Sequence, residues 1–253
     1  MRTYPLLLAA AATVVSFAAP LIAATQPTTA VPNTRFLVQT VRLKPEMVRE
    51  WVQLQQSEVI PAQKKAGVTS RTTVVTQVGN AFEYAILTPF PSWAAMDSDA
   101  PLVRALGADG AAQLNTKLRK CIFTQSSYIT SRVDSLSIDA GQAAVWRIQV
   151  RRVIPGKMPE YMAYYKAEVL PGLQKAKADG KIAGSSIAIR GVGAPTGEFT
   201  TVTFYSKFAD LDAGDPLVGA LGREAAAAVN AKGLQLATNT QVIVRRRIAD
   251  LSF

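Results

Sequence analysis

Glu58 and Glu168 each place a carboxylate on a mostly apolar helical face, in the similar stretches SEVIP and AEVLP. A carboxyl group partly withdrawn from water has a raised pKa and can serve as a general base on an acidic C–H bond. The competing chemistry is an ion pair, for which Arg132 and Arg247 are the expected partners of Glu58 and Glu168. A second pattern is cationic. Arg147, Gln149 and Arg151 alternate with Trp146, Ile148 and Val150, so a strand there has one polar and one apolar face. Gln39 occupies the place of Gln149 earlier in the chain, and Arg245 and Arg247 share one face near its end. The apolar face is expected to meet helices and the cationic face an opposing sheet. Arg147, Gln149, Arg151, Gln39, Arg245 and Arg247 would then form an interior for an anionic ligand, since guanidinium groups present a fixed fork to carboxylate or phosphate. The alternative is an open end of the fold in which long Arg side chains reach water.

Other chemistries are excluded by composition. The 253 residues contain no His and one Cys, Cys121, which removes Ser-His-Asp and Cys-His nucleophile pairs, His-ligated haem, His/Cys zinc sites and an intrachain disulfide. No cofactor and no metal is implied: carboxylates alone could hold a hard cation, but 18 Asp+Glu against 28 Lys+Arg argue against a dense acidic cluster. The formal charge is +10, yet the Arg245-Arg246-Arg247 run is split between two strand faces, which argues against a nucleic-acid footprint. Gly191-Val192-Gly193 reads as a hairpin turn and not as a phosphate loop opening a helix. Trp51, Trp146, Tyr161, Tyr164 and Tyr165 read as core, although the adjacent Tyr164 and Tyr165 cannot share a helical face, so at least one should border a cleft or solvent.

The elements that position these residues are written twice. Residues 39–66 align without a gap on 149–176 with nine identities, among them Gln39/Gln149, Arg42/Arg152, Glu50/Glu160, Glu58/Glu168 and Pro61/Pro171. PLVRALG at Pro101 and PLVGALG at Pro216 open a second matching block that reaches Lys117/Lys232. Each copy reads as strand, helix, two strands, helix, strand. The second helices are expected over 102–118 and 217–232, and repeated ion pairs between Arg42 and Glu50 and between Arg152 and Glu160. Ahead of the repeats, Arg2, the apolar run Leu6–Phe17 and the small residues Ala23-Ala24 have the order of a secretory signal peptide. The expected organisation is a signal over 1–24, a flexible lead-in over 25–34, a first repeat over 35–138, a linker over 139–144 and a second repeat over 145–253. No segment after the signal reaches transmembrane length.

The order β-α-β-β-α-β is the ferredoxin-like plan, and the fold class is α+β. With the EVIP and EVLP helix ends and the later PSWAAMD and ADLDAGD turns, the chain resembles the dimeric α/β-barrel superfamily, nearest in pattern to its NIPSNAP and antibiotic-biosynthesis-monooxygenase branches. The resemblance implies two ferredoxin-like repeats forming a pseudo-dimeric barrel within one chain. It also implies a range of activities: cofactor-free oxygenases, isomerases, haem-handling enzymes and proteins without known activity, of which the haem-handling class depends on a His that this chain lacks. The expected function is an exported protein, secreted or periplasmic, binding a small anionic or aromatic ligand without catalysis. The alternatives are a cofactor-independent oxygenase or isomerase using Glu58 or Glu168 as base, and a structural envelope protein. The expected assembly is a monomer with an internal pseudo-dimer, or a homodimer of it.

Overall fold

The computed structural model describes residues 33–253; the signal over 1–24 and most of the lead-in lie outside the described residues. The first repeat contains β1 (Arg35–Leu43), α1 (Val48–Leu54), α2 (Ile60–Lys65), β2 (Thr72–Val78), β3 (Glu83–Pro89), α3 (Pro101–Cys121) and β4 (Ile122–Arg132). The second contains β5 (Val145–Val153), α4 (Met158–Tyr164), α5 (Leu170–Ala178), β6 (Gly184–Arg190), β7 (Glu198–Tyr205), α6 (Pro216–Leu221), α7 (Arg223–Leu236) and β8 (Ala237–Arg247). Hydrogen bonding runs in the order β1-β3-β2-β8-β5-β7-β6-β4 and returns to β1, closing an eight-stranded barrel. The repeats join edge to edge at two seams. One pairs Val74 with Arg247 and Thr76 with Arg245; the other pairs Thr130 with Arg190 and Arg132 with Ala188.

Two local features follow from sequence. Pro61 and Pro171 carry no N–H, so each cannot donate to the carbonyl four residues back. Each helix widens into a π-turn just before its proline, over Gln55–Val59 and Tyr165–Val169, and resumes as α2 or α5. The second helix of each repeat breaks after one and a half turns, at Gly107 (φ 74°) and Gly222 (φ 86°), a backbone conformation that favours glycine. The continuous helices expected over 102–118 and 217–232 are therefore each a short helix followed by a long one.

The helices pack on the outside of the barrel over two apolar cores, one centred on Trp51, Leu54 and Ile86, the other on Tyr161, Tyr165 and Phe199. A third apolar region lies inside the barrel around Val38, Val74 and Ala85. The strand faces are reversed from expectation. Trp146, Ile148 and Val150 point into the barrel, whereas Arg147, Gln149 and Arg151 lie beneath the helices of the second repeat. The apolar face lines the barrel, and beneath the helices the Tyr161 hydroxyl accepts from the Arg151 guanidinium.

Candidate functional site

Three cavities stand out among the described residues. A crevice of about 740 Å³ separates helices from sheet in the first repeat. Its counterpart in the second repeat has only about 70 Å³, and the barrel interior encloses about 350 Å³.

The large crevice is built around Arg71, which is 1% exposed although no carboxylate pairs with it. Its backbone is pinned by reciprocal hydrogen bonds with Phe253, and its guanidinium donates to Thr73 Oγ1 (3.1 Å), Gln63 Oε1 (2.8 Å) and Gln55 Oε1 (2.7 Å). The π-turn makes this grip possible. In a regular α-helix, residues eight apart diverge by about 80°, and widening by one residue reduces that to about 20°, so Gln55 and Gln63 reach one partner. Burial without a counter-charge pushes the Arg71 pKa down to about 10. Guanidinium has five N–H donors, so two remain for a ligand. The walls are apolar (Leu37, Trp51, Ile86, Phe90, Leu118) with two further cations, Arg104 and Arg119. No Asp, Glu, Tyr or Cys is among these lining residues.

The repeats differ here by a few substitutions. Tyr164, Tyr165 and Leu173 stand where the first repeat has Leu54, Gln55 and Gln63, and Ser185 stands where it has Arg71. The tyrosines fill the second crevice: Arg151 donates to Tyr161 (3.3 Å) and to Gln149 (2.9 Å), and Tyr164 donates to the Val229 carbonyl (2.8 Å). Both Tyr164 and Tyr165 are buried and both border the small cavity. Burial pushes the Tyr161 and Tyr165 phenols up and that of Tyr164 up to about 12.

The short helix above each crevice also differs. In the second repeat Leu217 seats against Gly172, where an added Cβ would lie 2.8 Å from Leu217 Cδ2, and Asp215 caps the helix by accepting from Leu217 N at 2.9 Å. The first repeat has Ala62 in place of Gly172 and Ala100 in place of Asp215, and its Leu102 is only partly buried. The first repeat thus lacks both the glycine seat and the side-chain cap that its counterpart has.

The residues singled out from sequence disperse. Glu58 pairs with Lys117 (2.9 Å) and Glu168 with Lys232. Both are ion pairs, but the partners come from the neighbouring helix, because the π-turns carry these carboxylates along the outer surface and not toward the strand ends. Arg132 instead lies 3.1 Å from Asp134. The expected Arg42–Glu50 and Arg152–Glu160 pairs are also absent: Arg42 stacks over Phe123, Arg152 binds Glu198 (3.1 Å) and Glu160 binds Lys157 (2.5 Å). These arginines end their strands inside or beside the barrel, away from the helix starts that carry the glutamates. Arg147, Gln149 and Arg151 do come together, whereas Gln39 lines the other crevice. Arg245 lines the barrel, bound to Glu83 (2.5 Å), and Arg247 lies opposite Val74 on the seam. Among the described residues no group of three His, Cys, Asp or Glu could hold a metal ion, and no helix is long and apolar enough to cross a membrane. Sequence reasoning missed Arg71; its signal was a basic residue opening a strand whose counterpart in the other repeat is Ser185.

No protein-family model matches the sequence, and no curated protein does. Solved structures do match. A candidate monooxygenase from Lactobacillus acidophilus NCFM superposes with a TM-score of 0.55 at 11% identity, covering 87% of this chain and 95% of its own. A candidate monooxygenase from Fusobacterium nucleatum subsp. nucleatum ATCC 25586 gives 0.57 at 6% identity, with 86% and 94% coverage. An anthrone oxidase-like protein gives 0.52 at 10% identity, with 85% and 92% coverage. At these identities the likeness establishes the fold, which is the dimeric α/β barrel, with both halves in one chain.

Proposed function

We propose that this single-chain barrel binds a small organic anion with an apolar body, such as an aromatic carboxylate, in the crevice of the first repeat. The observation that carries the reading is Arg71, a residue only 1% exposed whose guanidinium has no carboxylate partner, beside a cavity of about 740 Å³. Leaving such a charge unmatched costs on the order of 3 kcal/mol, taken from its shifted pKa, and an anion entering the crevice would offset that cost. The absence of a carboxylate, phenol or thiol from the lining favours binding over proton transfer. The neighbours described as monooxygenases share the fold, but Glu58 and Glu168, the bases that an oxygenase or isomerase reading requires, lie on the outer surface beside lysines.

Calorimetric titration with 1-naphthoate tests the proposal. Arg71→Met should weaken binding at least tenfold, in line with the ~1.5–3 kcal/mol of a hydrogen bond to a charged group; unchanged affinity would overturn it. Native mass spectrometry of the purified protein should show a co-purified acid that the variant loses. We further propose export with cleavage after Ala24, which rests on the order of residues 1–24. Intact-mass measurement should find a mature chain beginning at Thr25.

A further inference from the structure

We infer that the barrel interior is a second binding compartment, separate from the crevice, for a small neutral aromatic molecule that carries one oxygen acceptor. The cavity of about 350 Å³ would hold roughly a dozen waters at ~30 Å³ each, and it falls within the usual range of small-molecule sites. Phe36, Tyr128, Trp146 and Phe204 bring four aromatic rings to its wall, with Trp146 and Phe204 edge to face at 5.1 Å. A flat ring is the shape that such walls cover on several sides.

The polar requirement comes from comparing two corners of the barrel that the repeat relates to each other. In one, Arg245 Nη2 donates to Glu83 (2.5 Å) and its Nε to Thr76 Oγ1 (3.2 Å). The other corner holds the same three residue types, Arg190, Glu198 and Thr130. There Arg190 Nη1 donates to Glu198 (2.8 Å), but the Thr130 hydroxyl donates to the Ile189 carbonyl (3.1 Å) and gives nothing to the guanidinium. Arg190 Nε is left buried without a partner, while its guanidinium lies 4.2 Å from the centre of the Tyr128 ring. A buried N–H donor beside an aromatic wall calls for an acceptor. Arg132, Arg190 and Arg245, the cations lining the cavity, each face a carboxylate, and Arg152, the second cation on Glu198, is half exposed to water, so an ionic ligand would find no buried unmatched charge here. A hydroxyl or keto oxygen on a neutral ring meets both conditions. Residues 138–141, which link the repeats, also line the cavity.

Methyl NMR of the full mature chain, titrated with 1-naphthol, tests the site. Ala85, Ala188, Ile148 and Ile243 report on the barrel, and Ile86 and Ile122 on the crevice. The expected result is saturable shifts of the barrel methyls, unchanged in Arg71→Met, with naphthalene binding about tenfold more weakly because it offers no acceptor. Ala188→Phe should fill the space and abolish 1-naphthol binding. Should that variant fail to fold, the wild-type shift map still decides the matter. Shifts confined to Ile86 and Ile122, no shift at the solubility limit, equal affinity for naphthalene, or 1-naphthoate occupying the barrel would each overturn the inference. Loss of 1-naphthoate binding in Arg71→Met with 1-naphthol binding intact would show that the two sites stand or fall separately.

Discussion

Arg71 and the tyrosines of the second crevice carry opposite pH signatures. The folded-state pKa of Arg71 lies below its ordinary value, so above about pH 10 the unfolded chain holds the extra proton and stability rises with pH. Tyr84, Tyr161, Tyr164, Tyr165 and Tyr205 are shifted up by burial. They ionise first in the unfolded chain, which withdraws stability as pH rises above the ordinary phenol value of ~10. Five groups oppose one, so unfolding by denaturant should become easier above about pH 10. Absorbance at 295 nm should show most phenols ionising late, Tyr164 near 12. Arg71→Met removes a buried charge but leaves the Gln55 and Gln63 amide oxygens without their donor, opposing effects of about 1–3 kcal/mol each, so the ligand-free fold should change by less than about 3 kcal/mol; a larger loss would mark Arg71 as structural. Glu58→Gln should change stability by about 0–1 kcal/mol, because its pair with Lys117 is solvent-exposed, and leave 1-naphthoate binding unaltered. At this scale the sequence was partly legible. That Glu58 and Glu168 form ion pairs could be inferred from their repetition, but the partners also repeat, as Lys117 and Lys232, and only the helix packing identifies them. Arg71 was not legible, because it lies between the two aligned blocks and its partners at 55, 63 and 73 converge only through the π-turn.

The elements were the most readable level, since proline, glycine and alternation are local signals. The strand order β-α-β-β-α-β and its duplication follow from them directly. The inward and outward faces of β5 did not, because alternation shows that two faces exist while closure of the barrel decides which one is buried. Nor did the PLVRALG and PLVGALG stretches announce a break, as glycine in a helical pattern is tolerated until its φ turns positive. The difference between the two crevices rests on how these short helices seat. Ala62→Gly should let Leu102 settle as Leu217 does against Gly172, narrowing the first crevice and weakening 1-naphthoate binding. Gly172→Ala should push Leu217 out at a cost of about 1–3 kcal/mol, detectable as lower thermal stability and faster hydrogen exchange at the start of α6.

For the whole molecule, the two seams are related by a transposition. At the first, β2 supplies Thr76 and β8 supplies Arg245, with Glu83 alongside; at the second, β6 supplies Arg190 and β4 supplies Thr130, with Glu198 alongside. Arg245→Thr alone should cost about 3 kcal/mol or more by leaving Glu83 buried and unpaired. Thr76→Arg alone should also destabilise, by crowding two cations onto one carboxylate. The double variant Thr76→Arg/Arg245→Thr copies the other seam and should recover to within about 1 kcal/mol of the starting protein, a coupling that a double-mutant cycle would measure.

That transposition also bears on the chain's history. Two copies of the first half would meet with a glutamate and no arginine at each seam, and two copies of the second with a surplus of arginine. Neither half is now its own complement. Such an exchange acts as a ratchet: once it is in place, a gene encoding either half alone specifies an incomplete partner. The halves can then diverge without competing for the same role, one closing its crevice with tyrosine and the other keeping it open around a buried cation.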